Sequence, residues 1–198
     1  MEQVMVAMSA FAIVGAISPG PVNLVATSTA ANYGFMKALL YVTGASIAYS
    51  AVVFISGHLL SSLANLIPNL AQAMQIIGSL FLLYLAKQIA TAPFQSVDEI
   101  EQRKAPNLLH GAVMQCINPK AWLVAMSGIS LYVVGYESVQ LQLFIFTGIS
   151  LVACFIGVSS WAAIGHVIRR FLQSEKRQKR FNQTMAMLLV VSISSIWV

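Results

Sequence analysis

From Gln3 to Met36 the chain carries no Asp, Glu, Lys or Arg, and the same is true from Ala38 to Ala86, from Ala121 to Tyr136 and from Ser138 to Ile168. Runs of that length and character cannot be hidden inside a small soluble core. A bilayer's hydrocarbon layer needs about 20 apolar residues per helix, and these stretches supply them repeatedly. Composition points the same way, with 58% hydrophobic and 9% charged residues against about 25% charged in an ordinary soluble domain. Backbone polar groups in lipid must be satisfied within the segment, which favours helices. The expected class is an all-α integral membrane protein in which the bilayer is itself a partner. The start, Met1-Glu2-Gln3, is acidic where a secretory leader is basic, so the first apolar stretch is expected to be retained.

Charges and turn residues divide the chain into six expected spans: 4–27, 38–63, 70–90, 108–134, 141–168 and 182–198, the last being the shortest. A polar loop at 93–107 holds Asp98, Glu99 and Glu101. Lys37 falls between spans one and two, Lys87, Arg103 and Lys104 around the loop between three and four, and Arg169, Arg170, Lys176, Arg177, Lys179 and Arg180 in a basic loop between five and six. The turns near Pro68 and Glu137 have no Lys or Arg. Every basic loop therefore lies on one side, the cytoplasmic one by the positive-inside rule, with both termini facing outward. The cluster at 169–180 reads as a topology signal with some attraction to anionic lipid rather than as a nucleic-acid site.

The two halves resemble each other. Thr43-Gly44-Ala45-Ser46 is echoed by Thr147-Gly148-Ile149-Ser150, Gly57-His58 by Gly165-His166, and Pro19 by Pro119, at offsets of about one hundred residues. Three spans per half would make the repeats, 1–92 and 108–198, inverted across the membrane within one transporter domain, 1–198. Gly44 with Ala48 and Ala153 with Gly157 are small-xxx-small pairs suited to close helix contact within a subunit or between copies in a homo-oligomer.

Two spans contain signals that interrupt a helix. Ser18-Pro19-Gly20-Pro21-Val22-Asn23 removes two backbone donors and places a flexible glycine between them. Gln115-Cys116-Ile117-Asn118-Pro119-Lys120 offers Asn118 as a cap and Pro119 at the first position of a new helix. Free carbonyls in hydrocarbon are costly unless they face protein or water, so such breaks are expected to line a polar cavity. Lys120 then lies near mid-membrane, where a lysine marks a functional site by default. The start of a half-helix carries free N–H groups and the positive end of its dipole. With Lys120 it suits the carboxylate of a small amino acid, and Ser18, Asn23, Thr43 and Ser46 could receive the rest. The expected substrate-binding set is Ser18, Pro19, Gly20, Pro21, Asn23, Thr43, Ser46, Asn118, Pro119 and Lys120, with no catalytic residue, metal or cofactor.

No expected span contains Asp or Glu, which disfavours a carboxylate proton relay. His58, His110 and His166 fall near span ends, and interface anchoring is their simplest role. An intramembrane enzyme would need a nucleophile–base pair or a metal cluster that the sequence does not display. A thiol–disulfide carrier would need paired cysteines, whereas Cys116 and Cys154 read as small packing residues. A non-transporting scaffold remains the other alternative.

At these residues the chain resembles the LysE/RhtB family of amino-acid exporters. The resemblance rests on Ser18-Pro19-Gly20-Pro21 with Asn23, on Asn32-Tyr33-Gly34-Phe35 with Lys37, and on Asn118-Pro119-Lys120, and it covers essentially the whole chain. Within the family it is most similar to the branch exporting cysteine and O-acetylserine. Val22 stands where that branch has an asparagine, and Trp161-Ala162-Ala163-Ile164-Gly165-His166 also matches it. Many other members have Asp in place of Asn23 and export other amino acids, such as homoserine, threonine, leucine or basic ones. The resemblance implies efflux across a bacterial inner membrane driven by the proton motive force.

Overall fold

A computed structural model describes residues 2–62, 76, 79–80, 83–84, 86–87, 89–91, 105–134, 138–168 and 174–194. Among the described residues all regular structure is helical. The longest helices are α1 (Glu2–Ile17), α2 (Pro21–Tyr33), α3 (Phe35–Ser62), α4 (Leu108–Cys116), α5 (Pro119–Tyr132), α6 (Val139–Ile168) and α7 (Glu175–Ser194). At 28 and 30 residues, α3 and α6 reach about 42 and 45 Å, beyond the ~30 Å hydrocarbon layer. They are the two described helices that are each long and apolar enough to cross a bilayer, and α1 with α2, bent by 59° at their junction, makes a third candidate.

The expected segments map onto these helices with informative differences. The first apolar segment is two helices, α1 and α2, and the fourth is α4 and α5. Segment 70–90 and the polar loop fall mostly outside the described residues. The last helix begins at Glu175 rather than at 182, so Lys176, Arg177, Lys179 and Arg180 are helical and not part of a loop. All four are exposed, while Gln178 and Asn182, one turn apart, are buried. That stripe explains the early start: these residues tolerate a helix well, and Gln178 docks it by donating to Asn32 Oδ1 at 3.0 Å.

Long helices α3 and α6 pack against each other and gather the shorter ones around them. The core runs through Tyr41, Val42, Ala45, Val52 and Val53 of α3 and Phe146, Cys154 and Val158 of α6. Large apolar side chains such as Val6, Val14, Ile47, Val152 and Ile156 stay on the outside, as a lipid-facing belt requires. Close approach is made possible by glycine. A Cβ on Gly44 would collide with the Leu108 carbonyl, and one on Gly111 with the Tyr41 carbonyl, so α3 and α4 cross backbone to backbone. Gly157 likewise seats Ala16 of α1. The glycine of each small-residue pair thus serves a contact within the chain. A Cβ on Gly148 would meet no atom of the described residues within 4 Å, so Gly44 and Gly148 are not used alike.

Several helix ends meet at one pole of the bundle. Phe35 at the start of α3 lies 6.3 Å, ring to ring, from His166 near the end of α6, and Gln178 ties α7 to the end of α2. Between α2 and α3 only Gly34 intervenes, at φ 92, where a side chain would be strained. His110 completes a capping box with Asn107 at the start of α4, which gives it a structural task beyond interface anchoring.

Candidate functional site

At the break between α1 and α2, Pro19 and Pro21 have no N–H to give to the carbonyls of Gly15 and Ile17, and the 59° bend interrupts the ladder for Ala16 O and Ser18 O. Side chains take over one by one. Ser18 Oγ donates to Gly15 O at 2.9 Å. The Asn23 amide donates to Ala16 O at 2.8 Å and to Ser18 O at 2.9 Å. Trp161 Nε1, from α6, donates to Ile17 O at 2.9 Å. Lys120 Nζ, from α5, donates to Ser18 O at 2.8 Å, to Ser18 Oγ at 2.7 Å and to Pro19 O at 3.1 Å. The carbonyl end of α1 carries the negative pole of that half-helix, and the ammonium group sits against it.

Gly20 is extended, at φ −173 and ψ 172, a conformation open to any residue. Its value here is room rather than flexibility, since a Cβ would lie 3.2 Å from Lys120 Nζ. Gly20 offers no side-chain cap to α2, and Pro21 occupies its first turn. The N–H groups of Val22 and Asn23 therefore lack intrahelical acceptors. At the second break Asn118 caps α5 by accepting from Lys120 N at 3.2 Å, with Pro119 in the first turn. Trp122 Nε1 donates to Cys116 O at 2.7 Å and closes the end of α4. Pro21 and Pro119 occupy the same place, the first turn of a helix.

The two breaks face one another across a cavity lined by Gly15, Gly20, Asn23, Gln115, Asn118 and Lys120, with Tyr49 of α3 and Cys154 and Val158 of α6 completing the wall. It offers about 40 Å³ to water-sized occupants, room for only a few waters. Among the described residues that line it there is no carboxylate. Ser18, Pro19, Gly20, Asn23, Asn118 and Lys120 are thus brought together, and Pro21 and Pro119 start the helices beside them. Thr43 and Ser46 are not among the lining residues; their hydroxyls donate to Leu39 O and Val42 O of their own helix, each at 2.8 Å.

Sequence reasoning missed Trp161, Tyr49, Gln115 and Cys154 as members of the site. Cys154 is buried and lines the cavity rather than merely filling space. Gln115, three residues before Asn118, could have been read as sharing its break. The other three come from long helices without a local signal. Among the described residues no group of His, Cys, Asp and Glu is arranged to hold a metal ion, and both cysteines are free thiols.

Comparison with known proteins adds to this geometry. Residues 13–192 match the family model described as LysE type translocator. A cysteine/O-acetylserine efflux protein of Salmonella typhimurium is 28% identical over 183 residues, covering 91% of this chain and 90% of the relative. The cysteine/O-acetylserine efflux protein of Escherichia coli K12 is 26% identical over the same extent. No solved structure matches.

Proposed function

The chain belongs to the LysE family of translocators, and on that premise we propose that it exports a small neutral amino acid, cysteine or O-acetylserine or one of similar size, across the bacterial inner membrane. It is a transporter of the amino-acid efflux type and not an enzyme. The observation that carries the reading is the Lys120 ammonium, held by Ser18 and Pro19 beside the uncapped start of α2. An incoming carboxylate competes for that ammonium and finds the Val22 and Asn23 N–H groups next to it. The substrate's own ammonium faces the amide oxygens of Asn23, Gln115 and Asn118, and Tyr49 and Val158 limit its side chain. Among the described lining residues a basic side chain would meet no acidic partner, which favours neutral substrates over basic ones.

Because the cavity is too small for an amino acid while Lys120 is tied to α1, loading requires the half-helices to part. The breaks act as hinges for alternating access within a six-span, 3+3 inverted arrangement. The basic pole formed by Lys37 and the start of α7 faces the cytoplasm, with both termini outside. Export draws on the proton motive force. The test is efflux in a strain lacking its own exporters, loaded with cysteine or O-acetylserine. The reading predicts faster efflux of at least one of them than with an empty vector, and loss of that efflux in Lys120→Met at equal membrane abundance. Wild-type efflux by Lys120→Met contradicts it.

A further inference from the structure

Trp161 touches both halves of the broken first span. Its indole N–H reaches Ile17 O, in the last turn of α1. Its own carbonyl lies 3.1 Å from the Thr27 hydroxyl of α2, which is 2.9 Å from Asn23 O. One turn further on, Gly165 seats the Thr27 backbone so closely that a Cβ would collide with the Thr27 carbonyl. At this point α6 is fixed to α2 by backbone contact; it also packs on α1 at Gly157, which seats Ala16, and the indole adds a hydrogen bond to Ile17 O at the bend itself.

We propose that Trp161 is a positioning residue that braces the broken span, its N–H holding α1 at the bend in which the cavity is closed. The inference goes beyond the substrate site and rests on the reading that α1 and α2 move relative to each other during export. Of the side chains that satisfy the break, Asn23 and Ser18 belong to the broken span itself and turn with it. Lys120 is the group that a carboxylate displaces. Trp161 is attached to the central helix and is not needed by the substrate, so its bond persists after Lys120 has let go. It sets how readily α1 departs. The indole is half-buried, which allows the bond to break without opening a deep void.

The native thiols report on this directly. Cys154 is 3% exposed and lines the cavity, whereas Cys116 is exposed. In substrate-free purified protein, N-ethylmaleimide modifies Cys154 only when the cavity opens, and Cys116 supplies the reference. Trp161→Phe keeps an aromatic ring and deletes the donor. The expected result is Cys154 alkylation faster by about two- to tenfold, the range of one hydrogen bond, with the Cys116 rate and the melting temperature unchanged. Trp161→Leu likewise deletes the donor to Ile17 O and is expected to act in the same selective way; it decides the matter if Trp161→Phe does not fold. An unchanged Cys154 rate overturns the proposal, as does equal acceleration of both thiols with a lower melting temperature, which marks a packing role alone. The labelling needs no transported substrate. A flat result with intact export defeats the brace only, and a selective rise without export defeats the exporter reading only.

Discussion

Replacing Asn23 by Ala tests the idea that the break is stabilised by side chains rather than by packing. The wild-type amide donates to Ala16 O and Ser18 O. In the variant Ser18 O keeps Lys120, so that loss is one ordinary bond, about 0.6 kcal/mol by the average for membrane helices. Ala16 O depends on the Asn23 amide, and the backbone N–H four residues on belongs to Gly20 across the bend. Leaving that carbonyl unpaired away from water costs about 1–3 kcal/mol. The expected destabilisation is therefore about 1.5–3.5 kcal/mol. It can be read by denaturant unfolding in detergent or bicelles, with Ser50→Ala as the control. Ser50 Oγ donates only to Ile47 O of its own helix, near the surface, and its loss is expected to stay within about 0.5 kcal/mol. If Asn23→Ala and Ser50→Ala shift stability equally, the side-chain satisfaction of the break is not what holds it.

Other consequences are as specific. Gly111→Ala forces a Cβ against the Tyr41 carbonyl and is expected to cost about 1–3 kcal/mol through separation of α3 and α4; Gly148→Ala, with open space around it, is expected to change the melting temperature little. Pro21→Ala restores a backbone donor four residues after Ile17, which favours a continuous first span. It is expected to retain folded protein, measured by size-exclusion chromatography, while lowering efflux at least tenfold. Thr43→Val removes a hydroxyl that serves only its own helix and is expected to leave efflux within twofold of wild type at equal abundance.

The membrane class and both breaks were legible because they rest on local chemistry. Charge-free runs leave no other solvent for the chain, and two prolines around one glycine cannot continue a helix. Asn118-Pro119 announced its cap in the same way. The partners of the break were harder to read. That Lys120 would turn to the carbonyls of Ser18 and Pro19, rather than wait at the start of its own half-helix, depends on how α5 packs against α1, which no spacing encodes. Trp161 stood out only by resemblance, since its role needs α6 folded back across the bend. Thr43 and Ser46 stand out for polarity inside an apolar span, yet a serine or threonine in a helix also satisfies itself on the preceding turn, so polarity alone does not say that Ser46 meets Cys154 of the cavity wall. The early start of α7 shows the opposite error, a charged stretch taken for a loop because its buried stripe of Gln178 and Asn182 is polar.

Whether Lys120 receives the carboxylate is tested most directly by pairing a change in the protein with a change in the substrate. Binding of O-acetylserine and of its methyl ester is measured with purified wild-type protein and Lys120→Met. The account predicts that wild type loses at least tenfold in affinity when the carboxylate is esterified, and that Lys120→Met binds both compounds weakly and alike. If Lys120→Met discriminates between acid and ester as strongly as wild type does, the carboxylate lies elsewhere and the site assignment fails.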